Sequence, residues 1–382
     1  MRLSRVYKTI LKICAVTSLL PVLGPARRFD PQETAEPYTD FHAESWVQAD
    51  RVFRQDPRWL GGDAAYSVDL GGQRVLWLFQ DSFIARRAGA GRGHSTMVRN
   101  SVAIETGYDP SRAALKFYWR TQKGRPASFV PERGDTWLWP THGVQLGQKL
   151  LLFFTKVRRD KQRGSLGFQN FGWAAFLIDN PDEEPSAWVL HRIDVPSNPW
   201  NVIVGAAVLI SGDYLDVFSP AEPSHDIYLV RWPLNAAAHG DLASPEWWCG
   251  PEKGWTGQRQ IVHAPLPVFL KGSMEFSVQR DAQGSKFLAV ESVGFGASEI
   301  AIRWADRLEG PWSAARRVFV PPESQRPDGF VYAAKSHPEL TGADLVITYV
   351  ANSFDFGILT RDLNIYYPRF VRLWFSQRLG VR

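Results

Sequence analysis

The sequence predicts an all-β fold, a single five-bladed β-propeller, and three observations carry that expectation. Short apolar or alternating runs recur along the chain, broken by Gly, Pro, Asn and Asp, and no stretch keeps a helical period. One unit, a strand, a tight polar turn and a more apolar strand, recurs five times. Between successive units lie further strand candidates, giving each repeat room for about four strands, the content of a propeller blade.

The units are residues 66–79, 143–154, 205–218, 276–290 and 332–349, and their starts fall 77, 62, 71 and 56 residues apart. The intervening candidates include 174–178, 227–232 and 299–304, the last two reading Ile-Tyr-Leu-Val-Arg-Trp and Glu-Ile-Ala-Ile-Arg-Trp. A pair of β-sandwiches is the alternative architecture, but it leaves the fivefold unit without a cause. Blades that close on one another remove most exposed sheet edges.

Residues 1–26 form a separate object. Arg2, Arg5, Lys8 and Lys12 precede the apolar run 13–23, and Gly24, Pro25 and Ala26 supply small residues for cleavage. This reads as a secretory signal peptide, since the run is short of the roughly 20 residues a membrane span needs. A retained N-terminal anchor is the alternative. The expected location is therefore exported, periplasmic or extracellular, with no stable membrane insertion after cleavage. Residues 27–45, Pro-rich at 29–37, read as a leader, and 46–376 as the propeller domain.

Removing 1–26, which holds four Lys/Arg and no Asp/Glu, takes the formal charge from +5 to +1 (5 − 4). Such a chain has no electrostatic footprint for nucleic acid, and the basic cluster 156–163 reads as a solvated loop. Cys249 alone then remains, so no internal disulfide forms and no zinc-ligand spacing exists. No organic cofactor is implied; a structural calcium ion is the one inorganic group left open. The expected state is a monomer. The 16 Trp residues are mostly core, with a few free to stack on sugar rings.

Chemistry in a propeller belongs at the mouth of the central channel, so the residues flanking each hairpin matter most. With the first turn centred on Gly71 and Gly72, opposed residues sum to about 143, and Asp63 lies beside Asp81, one residue off register. Carboxylates this close raise one pKa, which gives one site an acid and a base at the same pH. In the fourth unit a sum of 566 sets Glu275 against Glu291; in the fifth, Tyr332 faces Asn352. His142 precedes the second unit and Asn201 the third. Each carboxylate alone also reads as a turn cap or an Arg partner, and His337-Pro338-Glu339 reads as turn chemistry. Two carboxylate pairs at the same end of two blades point instead to glycoside hydrolysis, which needs two carboxyl groups flanking the scissile bond.

The stretch 61–83, from Gly61-Gly62-Asp63 to Gln80-Asp81-Ser82-Phe83, resembles the opening blade of a bacterial family, domain of unknown function 4185 (DUF4185), with a close neighbour numbered 5005. Arg99-Asn100-Ser101, Trp139-Pro140, Met274-Glu275-Phe276, Gly310-Pro311-Trp312-Ser313, the run 332–340 and the run 365–370 fit the same pattern. The resemblance implies a five-bladed propeller like those of arabinanases, fructosidases and sialidase-like enzymes. It also implies, from members similar to endo-acting D-arabinan hydrolases, that Asp63 and Asp81 are catalytic. The chain departs from the pattern at Gln80, where Gly is usual, and at Thr141-His142, where Gly and an acid are usual.

The resulting expectation is a glycoside hydrolase acting on an extracellular or cell-wall polysaccharide or oligosaccharide. Asp63 and Asp81 are its acid/base pair and Glu275 a third carboxylate. Tyr66 and Trp139 are stacking platforms, and Asn100, His142, Glu291 and Asn352 contact substrate. A carbohydrate-binding propeller of the cell envelope without turnover, or a scaffold with a blocked mouth, are the competing expectations.

Overall fold

The computed structural model describes residues 40–160, 167–294 and 298–376. The expected signal peptide and most of the leader lie outside the described residues. Among the described residues no helix is long and apolar enough to cross a membrane.

Among the described residues five antiparallel sheets form successive blades, and two smaller sheets stand beside them, Trp59–Gly62 with Ser82–Ala85 and Ser95–Val98, and Arg120–Gln122 with Arg125–Ala127. Blade 1 comprises Tyr66–Asp69, Arg74–Phe79, Ser101–Thr106 and Ala114–Tyr118; blade 2 comprises Thr136–Leu146, Lys149–Arg159, Phe168–Ile178 and Leu190–Ile193. Blade 3 runs from Ala207–Ser211 through Tyr214–Pro220 and Ile227–Pro233 to two short strands, Glu246–Trp248 and Trp255–Gly257. Blade 4 comprises Phe276–Arg280, Phe287–Val293, Glu299–Ala305 and Arg316–Phe319. Blade 5 comprises Gly329–Ser336, Leu345–Ser353 and Pro368–Phe375, and its fourth strand is Phe41–Ser45 from the other end of the chain.

The ring is visible in the core. Each of five apolar clusters sits between two successive blades, the last between blades 5 and 1. The strand Arg74–Phe79 shows the cause. Successive side chains of a strand point to opposite faces. Val75, Trp77 and Phe79 therefore pack towards blade 5, and Leu76 and Leu78 towards blade 2. A strand buried on both faces must be apolar throughout, which is why Val-Leu-Trp-Leu-Phe is unbroken. Leu150, Leu152 and Phe154 likewise face blade 1, while Leu151 and Phe153 face blade 3.

Polar groups complete the closure. The Ser67 hydroxyl and His337 Nδ1 lie 2.5 Å apart, and His337 Nε2 lies 2.7 Å from Thr348 Oγ1, all buried. His337, expected in a turn, is thus a tie between blades 5 and 1. The leader/domain boundary expected at 45/46 moves too, because Phe41–Ser45 pairs residue for residue with 371–375. The basic cluster 156–163, read as a loop, begins as strand: 156–159 finish Lys149–Arg159, while 161–166 lie outside the described residues.

Phe41–Ser45 seals the ring by covering an edge that would otherwise be open. A chain beginning at Trp46 is expected to lose about 3–6 kcal/mol, from five paired residues at roughly 0.5–1.5 kcal/mol per net hydrogen bond. Urea unfolding midpoints of the two chains check this.

Candidate active site

A cavity of 680 Å³ opens at one end of the channel, lined by side chains from all five blades or the loops leading into them. Of the residues expected at the mouth, Asp63, Asp81, Glu275, Trp139 and Asn352 line it.

Turn chemistry places the aspartates. The first hairpin turns through Gly71, Gly72 and Gln73, all with positive φ (72°, 60° and 61°). This longer turn makes opposed residues sum to 144, as in Tyr66 with Leu78, rather than 143. The one-residue change sets Asp63 directly opposite Asp81, through Asp63 N–H to Asp81 O (3.3 Å) and Gln80 N–H to Asp63 O (3.2 Å). Beyond Asp63 the chain kinks at Ala64 and Ala65, both buried and left-handed (φ 67° and 52°). That conformation costs an L-residue roughly 1–2 kcal/mol, and such strain gathers at functional sites. The buried Lys335 ammonium, donating to the Ala64 and Ala333 carbonyls, holds the kink. Before Asp63, Gly61 has φ 118°, and a Cβ there would stand 2.2 Å from the Tyr366 carbonyl oxygen, so only glycine fits.

The two aspartates have unlike surroundings. Asp63 Oδ2 accepts from the Tyr332 hydroxyl at 2.7 Å, and its Oδ1 is buried without a hydrogen-bond partner among the described residues. Burial, then the charges of Asp81 and Glu275, push its carboxyl well above the ordinary range; the Tyr332 and Tyr366 phenols oppose this. Asp81 Oδ2 accepts from Arg99 at 2.7 Å and Oδ1 from the Trp139 indole at 2.8 Å. Burial raises Asp81 as well, but the Arg99 charge and these bonds pull it back. Of the pair, Asp63 therefore keeps a proton more readily and Asp81 carries the charge. Glu275 reaches into the same mouth from blade 4, its Oε2 3.3 Å from Lys335 Nζ.

Asn352 donates through Nδ2 to the Tyr332 hydroxyl (3.2 Å) and so orients the phenol that holds Asp63. Its strand partner is Phe330 rather than Tyr332, because the hairpin pairs Lys335 with Thr348, one residue off the expected register, and a bulge between Tyr332 and Lys335 shifts it by another. Trp139 meets Phe168 edge-on, ring centroids 4.7 Å apart.

The structure puts the other four candidates elsewhere. Tyr66 is buried below the mouth, stacked on His142 with Lys335 over its ring, and offers no face to a sugar. Asn100 is buried and spends its amide on the backbone of Val130 and Leu138. His142 Nδ1 accepts from the Val208 N–H (2.9 Å), so Nε2 donates to the Ser67 carbonyl (3.2 Å) and ties three blades together. Burial holds its pKa at about 4, so the ring stays neutral. Glu291 faces Phe276 rather than Glu275, since the fourth hairpin sums to 567 instead of 566. A one-residue slip sends a side chain to the opposite face. There Glu291 is wholly buried, on Arg303 (2.6 Å) and the Ser273 N–H (3.0 Å).

Three contributors were not singled out from sequence: Arg99, Lys335 and Tyr366, the last donating to the Asp81 carbonyl at 3.1 Å; Tyr332, expected at the mouth opposite Asn352, is there as the donor to Asp63. Each lies within a family-like motif quoted above, so the motifs were the available signal. Among the described residues no group of three or more His, Cys, Asp and Glu is placed to hold a metal ion.

Fold and cavity together define a five-bladed β-propeller with an acid-lined mouth. The chain belongs to the family described as domain of unknown function DUF5005, whose profile matches residues 48–375. Comparison with curated protein sequences finds no match. Among solved structures, a hydrolase candidate from Bacteroides ovatus superposes with a TM-score of 0.71 at 15% identity, over 90% of this chain and 92% of that one. The catalytic domain of the Coprinopsis cinerea GH62 α-L-arabinofuranosidase gives 0.47 at 12% identity, over 86% and 95%. The GH43_1 enzyme of Xanthomonas citri, complexed with xylotriose, gives 0.47 at 14%, over 86% and 92%.

Proposed function

We propose that the protein is an exported glycoside hydrolase that cleaves an extracellular or cell-wall polysaccharide, with Asp63 and Asp81 as its acid and base. One observation carries this reading. Two carboxyl groups from facing backbone positions share the mouth of a 680 Å³ cavity, and their neighbours push their proton affinities apart. Asp63, protonated by its buried setting, gives its proton to the departing sugar oxygen. Asp81, held charged by Arg99, acts on the anomeric side, directly or through water. Glu275, neutralised in part by Lys335, keeps Asp63 protonated and is placed to accept from a sugar hydroxyl. Trp139 and Phe330 supply the apolar walls expected of a sugar site. The DUF4185 likeness makes D-arabinan the first substrate to try.

The Asp81–Arg99 pair is also what a non-catalytic carbohydrate-binding propeller would show. Their side chains keep 15% and 23% exposure and line the cavity, so the pair faces the ligand space rather than the core. Release of reducing ends from a panel of bacterial and plant polysaccharides, D- and L-arabinans included, separates the readings. Turnover of any member supports the hydrolase; retained binding to a member with no turnover of any supports the binder.

Arg99→Gln gives a signed test. Losing the cation raises the Asp81 pKa, so the charged form appears only at higher pH. The acid limb of kcat/KM is expected to move upward by about one pH unit, while the alkaline limb, set by Asp63, stays above the ordinary carboxylate range. An acid limb that does not move removes Asp81 from the role of base.

A further inference from the structure

The mouth does not end at the carboxylates. Two clefts run outward from it over blade 2. One, of 260 Å³, shares Trp137 with the main cavity; the other, of 430 Å³, shares Asn170, Ile203 and Glu222. Phe171 and Lys156 line both and form the ridge between them.

This ridge and its flanks are cationic. Lys156 and Arg158 are two residues apart on one strand and project the same way. Both lie over the exposed Phe171 ring, at 4.8 Å and 5.4 Å from its centroid. Arg192 and Arg133 join Lys156 in lining the smaller cleft. Partial burial lowers the Lys156 pKa, and the nearby Arg192 charge adds to this in second place. Among the described residues none of these four has a carboxylate within ion-pair distance, whereas Lys116, Arg307 and Arg317 elsewhere on the surface are paired with Glu184, Glu309 and Glu299. One carboxylate, Glu222, lines the clefts, and it accepts from Asn170. Across the mouth, blade 5 presents Phe330 and, from the connection between its strands Leu345–Ser353 and Pro368–Phe375, Phe356 instead. The charge is therefore one-sided, and like charges are gathered where a structural role would have paired them.

We propose that the clefts over blade 2 are an extended subsite for an anionic polysaccharide, whose carboxylate or sulfate groups meet Arg133, Lys156, Arg158 and Arg192 while the chain runs into the mouth. Phe171, beneath both Lys156 and Arg158, holds these two cations side by side at the wall of the clefts. The inference deepens the reading of the mouth as a carbohydrate site and names the substrate class.

The test uses Asp63→Asn protein, so that ligand is not consumed, with and without Lys156→Glu, Arg158→Glu and Arg192→Glu together. Binding is measured by titration calorimetry to polygalacturonate against its methyl ester, and to dextran sulfate against dextran. Matched backbones isolate the charge, and the two pairs distinguish carboxylate from sulfate. At least one charged polymer is expected to bind about tenfold or more tighter than its neutral partner at low salt. That advantage should shrink as salt is raised and disappear in the triple variant, whose melting temperature is unchanged. Should the Glu variant melt early, Lys156→Gln, Arg158→Gln and Arg192→Gln serve in its place. Equal binding of charged and neutral polymers, or a folded triple variant that binds as before, overturns the proposal. So does a single-stranded oligonucleotide that binds as tightly as the acidic glycans. In protein with Asp63 intact, hydrolysis of neutral arabinan with no effect of the triple substitution overturns this inference and leaves the hydrolase standing. Charge-dependent glycan binding without turnover of any polymer does the reverse.

Discussion

Asp63→Asn is expected to lower polysaccharide turnover by about a thousandfold, and Asp81→Asn by a similar factor, each in kcat more than in KM. General acid–base groups contribute roughly 10²–10⁴-fold, and an amide at either position keeps the shape but can neither give nor take the proton. The stability of Asp63→Asn should move the other way. The folded protein binds the Asp63 proton more tightly than the unfolded chain does, because burial and the Asp81 and Glu275 charges raise its pKa above 3.8. Its contribution to stability therefore falls as pH rises through and beyond the unfolded value. Asparagine removes that liability and retains the Tyr332 hydrogen bond. A variant at neutral pH that melts no lower than the parent, yet is inactive, shows a site selected for chemistry over stability. Full activity in both variants would move the search to Glu275.

Arg92→Met is expected to destabilise the protein by about 4 kcal/mol, the largest effect of a single polar side chain here. Arg92 is 2% exposed and donates to four backbone carbonyls, those of Leu60 and Ile365 (both 2.6 Å) and of Leu359 and Asp362 (both 2.9 Å). It ties the strand leading into Asp63 to the segment carrying Tyr366. Each carbonyl left buried without a donor costs roughly 1–3 kcal/mol, less where water enters, and methionine replaces none of them. Differential scanning calorimetry should show a melting temperature lower by roughly 5–10 °C. Arg92→Lys, with three donors and no planar fork, should recover less than half of the loss. Because the tie positions Tyr366, the lysine variant should also show a lowered kcat at a temperature where it is fully folded.

Much of the fold was written in local pattern. The unbroken apolar run 75–79 and its counterpart 150–154 required strands covered on both faces, and five such units required a ring. What local pattern did not carry was register. Gln73, in a left-handed conformation beside two glycines, lengthens the first turn by one residue and brings Asp63 squarely onto Asp81. The same one-residue difference in the fourth hairpin takes Glu291 away from Glu275 and buries it on Arg303. Strand side chains alternate, so an error of one residue in a turn reverses every facing relation beyond it.

Long-range partners were likewise hidden. Asn100 and His142 look like ligand-binding groups until the backbone groups that consume them, at Val130, Leu138, Ser67 and Val208, are brought within reach. Arg92 sits in a Gly-rich loop whose sequence gives no sign of four carbonyls gathered from residues 32 behind it and more than 260 ahead. By itself, then, the sequence determined the blades, their number and the two aspartates at the mouth, because those depend on period-two burial and on a hairpin that is local in the chain. Only the tertiary structure decided which polar side chains reach the cavity and which are spent on joining blades, and it set Phe41–Ser45 as the final strand of the last blade. Those outcomes depend on partners brought together by ring closure, and ring closure is a property of all five blades at once.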